Sequence, residues 1–178
     1  MITYQVITAD VVSKLNEIDR SEFIDVLYHL DEDKLNETPA HYEYAGWTTE
    51  ELKEIQQQYI FELTSGGMAV GAFENDLLVG FGVLGHRFMG ENFDQLPVDL
   101  MYVSRNFRRQ GIGSEILKML SAEAKNRGAG YLYVSSTETK SAVSFYSKNG
   151  SAVTRVVDEI LFNKEPRDIH MVMKLDLN

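Results

Sequence analysis

Three arginines and two glycines, Arg105, Arg108, Arg109, Gly111 and Gly113, fall within one short stretch of a chain whose formal net charge is −10. They follow Val98–Val103, a run of mostly β-branched, apolar and aromatic residues without Gly or Pro, whose composition predicts a strand. Beyond them Ile112, Ile116, Met119 or Leu120, and Ala124 recur at three-to-four spacing, the period of a helix with one buried face. The glycines allow a tight turn and close approach of a ligand to the main chain. The first turn of a helix carries free N–H groups that, with the helix dipole, favour an anion. Strand, basic glycine turn and helix start therefore predict a site for a phosphate-bearing ligand.

The details of the turn narrow the ligand. The Gly-x-x-x-x-Gly-Lys-Ser/Thr string of a nucleoside triphosphate loop is missing, and Ile116 stands where a dinucleotide fingerprint needs Gly or Ala. What is present is Arg108-x-x-Gly111-x-Gly113. It resembles the Arg/Gln-x-x-Gly-x-Gly/Ala motif of the GNAT superfamily of N-acetyltransferases. The segment Ser141–Gly150, with Ala142, Phe145, Tyr146 and Gly150, looks like the same family's Ala-x-x-Phe-Tyr-x-x-x-Gly. The chain departs from the family at Thr139, where Asn is frequent, and at Ser151, where Phe is frequent.

The resemblance implies acetyl-CoA as acyl donor, with its pyrophosphate on the loop Arg108, Arg109, Gln110, Gly111, Ile112, Gly113 and Ser114. Main-chain groups of Met101 and Val103 would run along the pantetheine arm, and Thr139 would take the place of the coenzyme-contacting Asn. It also places Tyr146 beside the coenzyme sulfur as proton donor, and Asp99 at a strand position where some members carry a base. Amide formation needs a neutral amine, a stabilised oxyanion and a proton for the leaving thiolate. The alternative for Tyr146 is a packing tyrosine on an amphipathic helix, and for Asp99 a salt-bridge partner at an exposed strand edge.

The elements that must position these residues follow from the rest of the chain. With 178 residues and ordinary apolar and charged content, one domain over 1–178 is expected. The absence of cysteine excludes disulfides and thiolate chemistry, and with no signal-peptide pattern at Met1–Val6 points to the cytoplasm. No apolar run reaches the length of a membrane span, and the acidic balance argues against nucleic acid. His29, His41, His86 and His170 form no metal pattern, so no metal is expected.

Ile2–Thr8 reads as a strand, and Val11, Val12, Leu15 and Ile18, then Phe23, Ile24, Leu27 and Tyr28, as two helical patches. Asp31–Trp47 lacks periodicity and carries acids and aromatics, which suggests a substrate-side loop. Within it Glu43 and Trp47 are the candidate acceptor-binding residues; its aromatics either hold an ammonium or anchor the loop. Thr48 and Glu51 have capping-box spacing, and open a helix with Leu52, Ile55, Tyr59 and Leu63 on its buried face. Met68–Phe73 and Leu77–Leu84 predict a hairpin, and Gly71, Gly80 and Gly82 close packing against a helix. Tyr131–Val134 should lie parallel to the strand ending at Val103; Lys140–Lys148 reads as a helix, Ala152–Val157 and His170–Leu175 as strands.

The expected fold class is mixed α/β: a GNAT-like fold whose central mixed sheet of about six to seven strands is flanked by helices. The expected activity is direct acetyl transfer to a primary amine, first a small cationic molecule. The alternatives are a protein amino group and a non-catalytic coenzyme A-binding module. An exposed strand near the C-terminus makes a homodimer conceivable.

Overall fold

Apolar residues and glycines fill Met68–Phe73 and Leu77–Leu84 on either side of a polar turn, and the chain there forms two central strands buried on both faces. The computed structural model describes residues 1–176, so the last two residues of the domain expected over 1–178 lie outside the described residues. In chain order the strands are β1 (Ile2–Ile7), β2 (Glu22–Asp31), β3 (Lys34–Tyr44), β4 (Met68–Glu74), β5 (Leu77–Leu84), β6 (Gln95–Val103), β7 (Tyr131–Ser136), β8 (Ser151–Val153) and β9 (Ile169–Lys174). The α-helices are α1 (Thr49–Thr64), α2 (Ile112–Asn126), α3 (Lys140–Lys148) and α4 (Glu159–Lys164). Seven strands form one mixed sheet in the order β1-β4-β5-β6-β7-β9-β8, and β2 and β3 form a separate two-stranded ribbon. Among the described strands only β6 and β7 run parallel, as a crossover through α2 requires.

The two faces of this sheet carry separate cores. On one, Ile112, Ile116, Leu117, Leu120 and Ala124 of α2 pack on Val70, Ala72, Val79, Leu96 and Val98. On the other, Tyr59 of α1 and Leu15 of the 3₁₀ segment Ala9–Glu17 pack on Ala69, Phe73, Leu78, Phe81, Val83 and Leu100. The capping box that opens α1 is formed: Thr48 Oγ1 accepts from Glu51 N at 3.1 Å, and Glu51 Oε2 from Thr48 N at 2.7 Å. Gly80 and Gly82 lie under α2, where an added Cβ would stand 3.3 Å and 2.7 Å from the Cγ2 atoms of Ile112 and Ile116. Their lack of a side chain sets the distance between helix and sheet.

The largest departure from expectation is Glu22–Tyr44. The second helical patch and the irregular loop are instead the antiparallel arms of one hairpin, β2–β3, turning at Glu32 with φ 52°. Phe23, Ile24, Leu27 and Tyr28 have spacings compatible with a helix, but Ile24 is buried while Phe23 and Asp25 are exposed, the alternation of a strand. What selects the ribbon is contact with remote chain: Tyr28 N donates to Glu138 O at 2.7 Å, and Leu27 bridges Thr139. The first helical patch is 3₁₀ rather than α. The predicted strand Ala152–Val157 shortens to β8, because Asp158 caps α4 through Leu161 N at 3.0 Å. Strand β6 begins at Gln95, earlier than its apolar run suggests, since Gln95–Pro97 supply the parallel pairing to β7.

Gly82→Ala drives a methyl into Ile116 and Leu120, and is expected to destabilise the fold by about 1–3 kcal/mol in denaturant melts.

Candidate active site

Strand β6 keeps its antiparallel partner β5 up to Val103, but pairs with β7 only over Gln95–Pro97. Beyond Pro97 the two parallel strands splay, and a cleft opens between them. Ser104 N donates to Val79 O at 2.9 Å, so Leu100, Tyr102 and Ser104 turn their main-chain groups toward β5. By alternation Met101 and Val103 turn theirs into the cleft. The Val103 carbonyl accepts Nε of Arg108 at 2.8 Å, which ties the basic turn to the end of the strand.

That turn is shaped for an anion. Arg109 and Gly111 both have positive φ, 60° and 83°, and Gly111 is the N-cap residue of α2 without a side-chain cap. The first helical bond is Glu115 N to Gly111 O at 3.0 Å, which leaves the N–H groups of Ile112, Gly113 and Ser114 without intrahelical acceptors. A Cβ on Gly111 would meet open space; one on Gly113 would stand 3.0 Å from the Phe145 ring, so Gly113 lets α2 start against α3. Gln110 bonds back to Asn106 O at 3.0 Å, and Arg109 and Ser114 are exposed. Arg108 points inward instead, toward the Asp19 carbonyl (3.4 Å) and Glu22 (3.9 Å). It braces the turn.

A one-residue bulge at Asp99 decides what faces the cleft. Val83 pairs with Leu100 and Leu84 with Val98, so Asp99 is the extra residue. Val98, Met101 and Val103 consequently pack on the α2 side, whereas Leu100 and Tyr102 pack on the α1 side. Asp99 points to the α1 side as well, where Gln58 Nε2 donates to its Oδ2 at 3.0 Å. Burial pushes the Asp99 carboxyl up to about 6, and the neighbouring charge of Glu62 adds to the rise. Tyr102 lies on the same face, its hydroxyl pushed up to about 12 by burial. Its ring meets Trp47 edge-on at 4.8 Å, and the Arg20 guanidinium lies 4.9 Å from the Tyr44 ring centroid and 5.9 Å from that of Tyr102.

The opposite wall is α3 and the start of β9. Tyr146 is buried, its hydroxyl titration raised by burial and by the charges of Tyr102 and Asp168. Asp168 accepts from Ser135 Oγ at 2.8 Å, and burial pushes its carboxyl up to about 6 as well. Thr139 is buried as the N-cap of α3, accepting from Ala142 N. Glu22 reaches from β2 to Ser141, Arg20 and Arg108, stitching the ribbon to α3 and the turn.

Met101, Val103 and the Arg108–Ser114 turn thus follow one another along the unpaired end of β6, with Asp99 on the α1 side; Tyr102 lies between Asp99 and the pair Tyr146 and Asp168. Trp47 packs on Tyr102. Glu43 is instead on β3 and forms an ion pair with Arg105, and Thr139 is occupied in capping. Sequence reasoning missed Asp168, Gln58 and Glu22, which lie in segments distant from both motifs. A half-buried acid becomes visible as such only once neighbours are placed; no spacing signals it. Among the described residues no group of three His, Cys, Asp or Glu side chains is arranged to hold a metal ion, and no helix is long and apolar enough to cross a membrane.

The model of the acetyltransferase (GNAT) family matches residues 27–150. A comparison with curated proteins finds no match. Among solved structures, a nourseothricin acetyltransferase is 18% identical, with 98% of this chain and 99% of that one covered at a TM-score of 0.74. A Bacillus anthracis protein assigned as a streptothricin acetyltransferase, crystallised with acetyl coenzyme A, is 16% identical over 99% of both chains at 0.75. The PaiA N-acetyltransferase of Thermoplasma acidophilum, in complex with coenzyme A, is 18% identical over 98% of this chain and 99% of that one at 0.65. At these identities the likeness is one of fold.

Gly111→Ala forces a side chain into a left-handed conformation and is expected to cost about 1–2 kcal/mol of stability, measured by chemical denaturation.

Proposed function

Because the chain belongs to the acetyltransferase (GNAT) family, we propose that it moves the acetyl group of acetyl-CoA to the primary amine of a small cationic molecule, by direct attack in a ternary complex. The observation that carries the acceptor class is the pair Asp99 and Asp168. Each carboxyl is drawn from water and held by one neutral donor, Gln58 or Ser135, and among the described residues neither forms an ion pair. The charge of Lys164 acts on both from α4. Several acids nearer the surface are paired with bases, as in Glu43–Arg105, Glu37–Lys140 and Glu123–Arg127. Acids left unmatched beside a cleft suit a cation that arrives with the substrate.

The residues present fit the donor. Open space over Gly111 and the free N–H groups of α2 suit a pyrophosphate, with Arg109 adding charge at the exposed rim. The splayed edge of β6 offers the main-chain groups of Met101 and the N–H of Val103 to the amide-bearing arm, as an added strand would use them. Bound there, acetyl-CoA supplies the activated acyl group.

The chain's own residues do the rest. Asp99 accepts a proton from the incoming ammonium; burial raises its proton affinity and lowers that of the ammonium, so the gap between them narrows from both sides. The amine lone pair then forms the C–N bond as the C–S bond breaks. Tyr146 gives its hydroxyl proton to the departing sulfur and regains one from the nitrogen. Its raised titration keeps it protonated and able to donate at neutral pH. Trp47 and Tyr102 wall the acceptor side and hold a cation over their rings.

Free-thiol release from acetyl-CoA, across polyamines, aminoglycosides, amino acids and short peptides, tests this reading. Turnover with small diamines or polyamines is expected, with kcat/KM falling about 10²–10⁴-fold in Asp99→Asn and kcat dropping in Tyr146→Phe. Below its inflection Asp99 is protonated and cannot accept a proton, so kcat/KM should fall as pH drops through about 6. Turnover confined to peptides would assign a protein acceptor, and coenzyme binding without turnover on any amine would leave a binding module.

A further inference from the structure

Asp99 is backed by a chain of polar side chains that neither sequence motif contains. Gln58 and Glu62 are four residues apart on α1 and share a face. The Gln58 amide nitrogen lies 3.0 Å from Asp99 Oδ2 and 3.4 Å from Glu62 Oε1, so its two N–H bonds reach two carboxylates at once. Glu62 is only 6% exposed. Its other oxygen lies 2.9 Å from the backbone N of His86 and 2.7 Å from His86 Nδ1. The Phe61 ring stands edge-on to His86 at 5.6 Å, and the imidazole remains part-exposed. The turn after α1 holds this arrangement close to the sheet: Gly67 N donates to Glu62 O at 2.7 Å, where a Cβ would collide with Leu84 O and Glu62 O.

An acid this deeply buried needs a reason beyond packing, since Gln or Met would fill the same space without a charge to desolvate. Its neighbours supply one. We propose that Gln58, Glu62 and His86 form a positioning chain behind Asp99, in which the shared amide aims the carboxylate at the acceptor amine and the buried Glu62, itself held by His86, fixes that amide in place. The inference rests on Asp99 being the proton acceptor of the proposed reaction.

The groups that face Asp99 are Gln58 and Glu62 of α1, His86 after β5, Lys164 of α4 and Tyr102 of its own strand. They act in different directions. The Gln58 donor favours the ionised carboxyl, as do the influences of Lys164 and His86, whereas Glu62 disfavours it. His86 against Glu62 is therefore a partial neutraliser of the charge that keeps Asp99 basic. No motion of the chain is needed.

Opposite displacements separate this chain from a merely structural one. The acid inflection of kcat/KM should move up by about one pH unit in Gln58→Leu, which loses the donor, and down by a similar amount in Glu62→Gln, which keeps the shape but not the charge. His86→Gln, at a part-exposed site tolerant of change, should move it up by less. Carbon NMR titration of the Asp99 carboxyl in the free protein reads the same inflections without turnover, and acetyl-CoA affinity should stay at the wild-type value in all three. If the inflection stays put in both Gln58→Leu and His86→Gln while Asp99→Asn abolishes turnover, the chain does not govern Asp99 and the inference is overturned, with the reading of the site intact. Wild-type turnover in Asp99→Asn would instead remove the base assignment, and the inference with it.

Discussion

The cleft exists because β6 cannot pair with β7 along its whole length. After Pro97 the parallel strands part, and the main-chain groups of Met101 and Val103 are left aimed at a gap inside the protein. A buried backbone group without a partner costs about 1–3 kcal/mol, so such a gap persists only where water or a ligand serves it. The Val103 carbonyl is served from within, by Arg108 Nε. The remainder of the edge is a row of main-chain donors and acceptors with no strand beside it. Everything else that bears on function is arranged along this opening: the α2 N-terminus at one end, Asp99 on one wall, Tyr146 and Asp168 on the other.

The bulge at Asp99 is the second constraint. A strand that ran without it would alternate Val98, Leu100 and Tyr102 onto one face, and would put Tyr102 beneath α2. The extra residue flips the phase, so that Asp99, Leu100 and Tyr102 all look toward α1 while Met101 and Val103 meet α2. The carboxylate and the aromatic wall thereby come to share a face. Trp47, Tyr44 and Arg20 complete that wall from segments far away in sequence.

Electrostatics distinguishes the cleft from the rest of an acidic surface. Where exposed acids are paired with lysine or arginine, such a pair is worth at most about 1 kcal/mol. Within the cleft the carboxyls of Asp99 and Asp168 have only neutral donors, and burial holds both near 6. The basic turn answers with arginines directed two ways: Arg108 inward as a brace, Arg109 outward. A polar site so built carries opposite charges at its two ends, arginines and helix N–H groups at the turn and carboxyls at the walls.

Read alone, the sequence determined the elements whose signals are local. The capping box at Thr48 and Glu51, the hairpin Met68–Leu84, the turn from Arg108 to Gly113 and the helix from Lys140 to Lys148 each carry their own turn chemistry or periodicity, and each is found where expected. The turn was legible as a candidate from its own composition, and Asp99 and Tyr146 from the family resemblance that the motifs carry. The ribbon Glu22–Tyr44 was not, since its arms are stabilised by pairing to one another and to Glu138 and Thr139 more than a hundred residues later. Nor were Gln58, Glu62 and Asp168: nothing in the spacing of an acid or amide says that it will be buried beside another. Only the tertiary structure decided which carboxylates lose their water and which find a base, because both depend on distances between segments that the chain order leaves open.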